Sequence, residues 1–128
     1  MNYVTDAHAL LWHLYWPQRL GSAAQQVFSD AEAGQVCIHV PAVVVAEAIM
    51  VVQKGRLPGV SLDHLLPHLR AMAASDNYPL LPLLPKTVIA SHQYTIIPDI
   101  FDRLIVTEAI LRGIPLVTRD PVIRQCQG

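Results

Sequence analysis

Glu47 stands alone as a charged residue in a long apolar helix. It interrupts Pro41-Ala-Val-Val-Val-Ala-Glu-Ala-Ile-Met-Val-Val52, where every other side chain is apolar. A helix of that kind has no polar face to turn to water, so Glu47 is expected to be at least half buried. A buried carboxylate is costly, by several kcal/mol, unless a cation sits beside it. An arginine from elsewhere in the chain would serve, and so would a metal ion. Helix capping would not, because Glu47 lies well inside the helix.

Three further acids, Asp6, Asp102 and Asp120, each have an ordinary structural use. Asp6 and Asp120 stand where helices begin, the latter followed by Pro121 at a first helical position. Asp102 falls in the first turn of a helix, where the macrodipole favours an anion. Taken together they point elsewhere. Asp6 and Asp120 both follow the carboxyl ends of apolar strands, which is where sites lie in open parallel sheets. Asp102 and Glu47 come from helices that can converge on that edge. Asp99 lies three residues before Asp102, so the two share a helix face and repel each other; it is read both as an N-cap and as an accessory ligand.

Four or five convergent carboxylates, with no cysteine and no set of histidines among them, suit a hard cation, Mg²⁺ or Mn²⁺. Such ions activate water and hold the charge of a phosphodiester displacement. The overall net charge of −1 argues mildly against a nucleic-acid partner. With Asp6, Glu47, Asp102 and Asp120 set aside, however, nine Lys and Arg face six remaining acids. Lys54, Arg103, Arg112, Arg119 and Arg124 lie late in the chain or beside these motifs, so a metal-filled site would present a face that attracts RNA.

Other residues carry less. His64 and His68 have a helical spacing that can bind zinc, but no third ligand is evident, and they are read as surface histidines. His8 lies one turn after Asp6 and could approach the site as a base. Cys37 and Cys126 match no metal spacing; Cys37, in a strand-like run, is expected to be a buried, reduced thiol, which suits a reducing cytosol. No signal peptide opens the chain, and the longest apolar run, broken by Glu47, is too short to span a bilayer.

These acids must be positioned by a scaffold that the pattern also describes. Residues 2–5 read as a strand, followed by a helix from Asp6 to about Trp16 and a second from Gly21 to Ala33, with Gly34 as its C-cap. Val36–Val40 is a strand, Pro41 opens a helix to about Lys54, and Ser61 caps another from Leu62 to Ala74. The proline-spaced Tyr78–Pro85 segment reads as an edge strand, with a helix from Pro85 to about His92. Asp99 caps a helix over Ile100–Arg112, ended by Gly113, and Ile114–Thr118 is the last strand. Asp120-Pro121 then starts a short terminal helix. The order predicts one α/β domain over residues 1–128, a three-layer α/β/α sandwich around a parallel sheet of four to five strands. Hydrophobic residues at 52% against 15% charged leave apolar surface to be covered by an oligomer or a partner.

The blocks resemble the PIN-domain family, especially its VapC toxin branch. Val4-Thr-Asp-Ala-His-Ala-Leu-Leu-Trp12 resembles the family's opening strand, acid and helix. Pro41 through Glu47, then Lys54-Gly-Arg-Leu57, resembles the segment bearing the second acid. Asp99-Ile-Phe-Asp-Arg-Leu-Ile105 is similar to the block bearing the third, and Leu116-Val-Thr-Arg-Asp120 to the fourth. The resemblance implies Mg²⁺- or Mn²⁺-dependent cleavage of single-stranded RNA, a homodimer and a cognate antitoxin. It implies Asp6, Glu47, Asp102 and Asp120 as the metal-site acids, with Thr118 as a supporting hydroxyl and Arg103 as a supporting cation. Ala7 and Val44 stand where the family often has hydroxyl residues, and Ile100 where it usually has proline. These departures bear on rate and substrate choice, since the acids themselves are intact. A catalytically inactive PIN-like scaffold that binds RNA or protein is the alternative, and retention of all four acids argues against it. A dinucleotide or P-loop enzyme is excluded by the lack of a glycine-rich turn after the first strand.

Overall fold

The computed structural model describes residues 1–118, 122 and 123. Its centre is a five-stranded sheet in the order β3-β2-β1-β4-β5. β1 (Asn2–Thr5) runs parallel to β2 (Cys37–Pro41) and to β4 (Leu116–Val117), while β2 runs parallel to β3 (Leu80–Leu81). Val4 pairs with His39 on one side and Leu116 on the other, so β1 is central. Val4, Ile38, Val40 and Val117 have no exposed surface, as expected of strands covered on both faces.

Helices α1 (Ala7–Tyr15), α2 (Ser22–Glu32), α3 (Ala42–Gln53), α4 (Leu62–Ala73), α5 (Pro85–Ala90) and α6 (Ile100–Arg112) cover the sheet, with short 3₁₀ turns at Pro17–Arg19 and Ser91–Tyr94. Leu10, Leu11, Phe28, Leu65 and Ile105 fill the core between them. α3 lies against both α1 and α6, and α6 also packs on β1. Those three helices therefore meet beside the carboxyl end of the central strand.

Most expected boundaries hold to within a residue or two, but four expectations are corrected. The chain after Pro121 does not open a helix: Val122–Ile123 forms β5, antiparallel to β4, with Val117 opposite Val122. The sheet is thus parallel over four strands and closed at one edge by an antiparallel one. Pro41 is the last residue of β2, with extended backbone, and α3 starts at Ala42. The proline-spaced leucine segment does run along the sheet edge, but only Leu80 and Leu81 join the ladder, because prolines at 79 and 82 have no N–H to give. Cys37 is half-buried, with its thiol directed to the Asp76 carbonyl at 3.6 Å. Asp120, Arg119, Arg124 and Cys126 lie outside the described residues.

Candidate active site

β1 delivers Asp6. The Asp6 amide donates to the Val117 carbonyl of β4 at 3.1 Å, and its backbone then turns into α1. Its side chain accepts from the Ala9 amide at 2.8 Å, which caps the helix. Thr118 follows β4 directly, so Asp6 and Thr118 stand at the ends of adjacent parallel strands. The strand order reverses here, with β2 and β3 to one side of β1 and β4 to the other, the usual crevice for a ligand in an open α/β sheet.

α3 delivers Glu47, which is 6% exposed. Facing it, α6 delivers Asp102, while Asp99 caps that helix by accepting from the Asp102 amide at 3.1 Å. Carboxylate oxygens of Glu47, Asp99 and Asp102 lie within 4.8 Å of one another. Asp99 is therefore both cap and cluster member. No Lys, Arg or His forms an ion pair with Glu47 among the described residues. Burial, reinforced by the charges of Asp102, Asp99 and lastly Asp6, raises Glu47 to a pKa of about 7. Burial and then Asp99 raise Asp102 as well, while His8 pulls it back.

The three clustered acids border a cavity of about 310 Å³, in which Glu47, Asp99 and Asp102 share the wall with Leu11, Met50 and Leu57. His8 reaches it too. Trp12 and Arg56, neither given a site role from sequence, also line it. Trp12 reads as core in a sequence, and only its place two turns beyond Asp6 hints otherwise. Arg56 arrives because Gly55, at φ 68°, turns the chain back on α3: the Gly55 amide bonds to the Val52 carbonyl and the Arg56 amide to that of Val51. By contrast Arg103 spends its Nε on the Ile97 carbonyl at 2.9 Å, bracing the loop that carries Asp99, and Arg112 pairs with buried Glu108 at 2.7 Å. Asp120 lies outside the described residues, so the acids seen together are Glu47, Asp99 and Asp102, with Asp6 close enough to act on Glu47 by charge.

The family model for the PIN domain matches residues 3–127. This chain belongs to the PIN-domain family. PIN domains are generally nucleases, and PIN nucleases use divalent metals. No curated protein matches. Among solved structures, the PIN domain here is similar to a chain of VapBC2 from Rickettsia felis, solved bound to a DNA fragment from their promoter; the TM-score is 0.63 at 18% identity, covering 92% of this chain and 87% of that one. The likeness is one of fold.

The donor set fits a divalent cation. The carboxylate oxygens of Glu47, Asp99 and Asp102, all within 4.8 Å of one another, are near enough to share one such ion. The clustered donors among the described residues are all hard carboxylate oxygens, and the His8 imidazole on the same wall stands outside that cluster.

Proposed function

We propose that this PIN domain is a divalent-metal-dependent endoribonuclease that cleaves single-stranded RNA, and that it is the toxin of a toxin–antitoxin pair. The observation that carries the reading is the triad of Glu47, Asp99 and Asp102, a buried acid crowded by two others with no basic partner among the described residues. A stable fold has no use for such crowding, whereas a cation site does. Asp6, Glu47, Asp102 and Asp120 would hold Mg²⁺ or Mn²⁺, with Asp99 as accessory, and the bound ion would supply an activated water and charge neutralisation for phosphodiester hydrolysis. Thr118, beside Asp6 at the strand ends, supports the acids through its hydroxyl. Arg103 acts at one remove by fixing the loop before Asp99. Arg56, a cation on the wall of the same cavity, is suited to a substrate phosphate.

The toxin role rests on the sequence blocks shared with that branch and on the fold likeness to a toxin–antitoxin chain. A cognate antitoxin is the expected protein partner, and a homodimer the expected assembly, since Leu80, Leu83, Leu84, Val88, Ile89 and Ile96 are all exposed. No helix among the described residues is long and apolar enough to cross a membrane; a cytoplasmic protein with Cys37 as a free thiol is consistent with this reading.

The test is incubation of the full chain with labelled single-stranded RNA and with the same sequence as a duplex, in Mg²⁺, Mn²⁺ and EDTA. Cleavage of the single strand that requires the metal is expected. Metal-independent cleavage, or none in either metal, contradicts the proposal.

A further inference from the structure

Trp12 belongs to two structures at once. It lines the acid cavity, and it stacks on Trp16, the C-cap residue just past the end of α1, with ring centroids 5.1 Å apart and planes 27° from parallel. The guanidinium of exposed Arg19 lies over both indoles, 5.2 Å from the Trp12 ring and 4.9 Å from the Trp16 ring. Arg19 forms no ion pair among the described residues. Both indoles are only half-buried, so neither is spent wholly on the core.

We propose that Trp12, Trp16 and Arg19 form a nucleotide subsite bordering the acid cavity, in which an unstacked base takes the place of the Arg19 guanidinium on the indole platform and Arg19 turns to the adjoining phosphate. The inference rests on the nuclease reading and gives it a substrate-gripping surface. An aromatic platform tolerates any base, because every base has a π face, and it selects single strands, whose bases are free to stack. A protein whose cavity wall carries three carboxylates against one guanidinium needs such help, since that charge repels the backbone until the site is filled. Arg19 then serves the platform, while Arg56 stands on the wall of the acid cavity.

The chain has two tryptophans, and both are in this stack. Intrinsic indole emission therefore reports on the subsite alone. The probe is a mixed-sequence single-stranded RNA of about eight nucleotides, within the site sizes of such grooves, and the same-length abasic ribose-phosphate chain, titrated into the full-length Glu47→Gln protein. Saturable quenching by the RNA is expected, with the abasic chain bound roughly five- to a hundredfold more weakly. Trp12→Leu in that background keeps an apolar side chain in place and should bring RNA binding down to the abasic level with cooperative melting retained, whereas Trp12→Tyr should restore it. RNA binding without a change in emission, equal binding of the abasic chain, or quenching by a protein partner but never by RNA overturns the subsite. So does undiminished kcat/KM in a Trp12→Leu protein that still cleaves in Mn²⁺, an outcome that leaves the nuclease reading intact; loss of all metal-dependent cleavage by the unsubstituted protein would instead sink that reading.

Discussion

Glu47 on α3 and Asp102 on α6 bring carboxylate oxygens within 4.8 Å of each other, across the seam where the two helices pack. Asp99 shares the same space, and no cation side chain pairs with the three among the described residues. A divalent ion that binds only the folded chain relieves that repulsion and stabilises by RT ln(1 + [L]/Kd), about 2.7 kcal/mol at a hundredfold excess over Kd. Mn²⁺ or Mg²⁺ is therefore expected to raise the melting temperature and EDTA to reverse the rise. A melting temperature indifferent to both would contradict a cation site.

The pH dependence without metal follows from Glu47. Its folded pKa, about 7, exceeds the ordinary 4.5, so folding favours the neutral acid. Relative to lower pH, the metal-free protein loses stability as pH climbs from about 4.5 toward 7, and the loss is complete above that window. Water reaching the exposed acids screens the repulsion, which leaves an expected loss of about 2 kcal/mol. Glu47→Gln should flatten this stretch of the stability–pH curve in EDTA and raise the melting temperature at pH 8. An unchanged curve would mean that the carboxylate titrates near its ordinary value.

Asp6 combines a charge with a cap, and two substitutions separate them. Asn caps a helix as well as Asp does, so Asp6→Asn should keep the bond from the Ala9 amide while removing a charge that acts on Glu47. Its metal-free melting temperature should rise and its response to Mn²⁺ should vanish. Asp6→Ala forfeits the cap as well and should be about 1 kcal/mol less stable than Asp6→Asn. If Asp6→Asn instead melts lower in EDTA and still responds to metal, Asp6 serves only as a cap.

Some of this was open to reading from residue order and some was not. α6 is bracketed by two strong local signals, the Asp99 cap and Gly113 at φ 67°, and it runs over the expected Ile100–Arg112. Glu47 was conspicuous because a lone carboxylate in an apolar helix has no surface to occupy. β5 was hidden: Asp-Pro is a good helix opening, and a two-residue strand shows no periodicity, so its pairing with β4 is decided by the sheet edge and not by local preference. Trp12 and Arg56 were missed as cavity walls for opposite reasons. An apolar residue on a buried helix looks like core, and the position of Arg56 depends on the reversal at Gly55, which composition does not reveal.

The exposed apolar residues of β3, α5 and the turn after it make a prediction about assembly. Ile96 is 91% exposed and Ile89 69%, in a chain whose other large apolar side chains are mostly covered. Light scattering at tens of micromolar should report a dimer, and Ile89→Arg should shift it toward monomer without lowering the melting temperature of the dilute protein. A clean monomer before substitution, with no antitoxin present, contradicts the homodimer.

The central claim is that Glu47 and its neighbouring acids hold the cation that RNA cleavage requires. The most direct measurement is the rate of single-stranded RNA cleavage by the unsubstituted protein and by Glu47→Gln, each in Mn²⁺ and in EDTA, with melting curves to verify that both are folded. The amide keeps the shape of the side chain but carries no charge. Loss of a metal contribution worth several kcal/mol predicts a rate lower by on the order of a hundredfold or more in Mn²⁺, with both proteins inactive in EDTA. A folded Glu47→Gln protein that cleaves in Mn²⁺ at the unsubstituted rate would contradict the account.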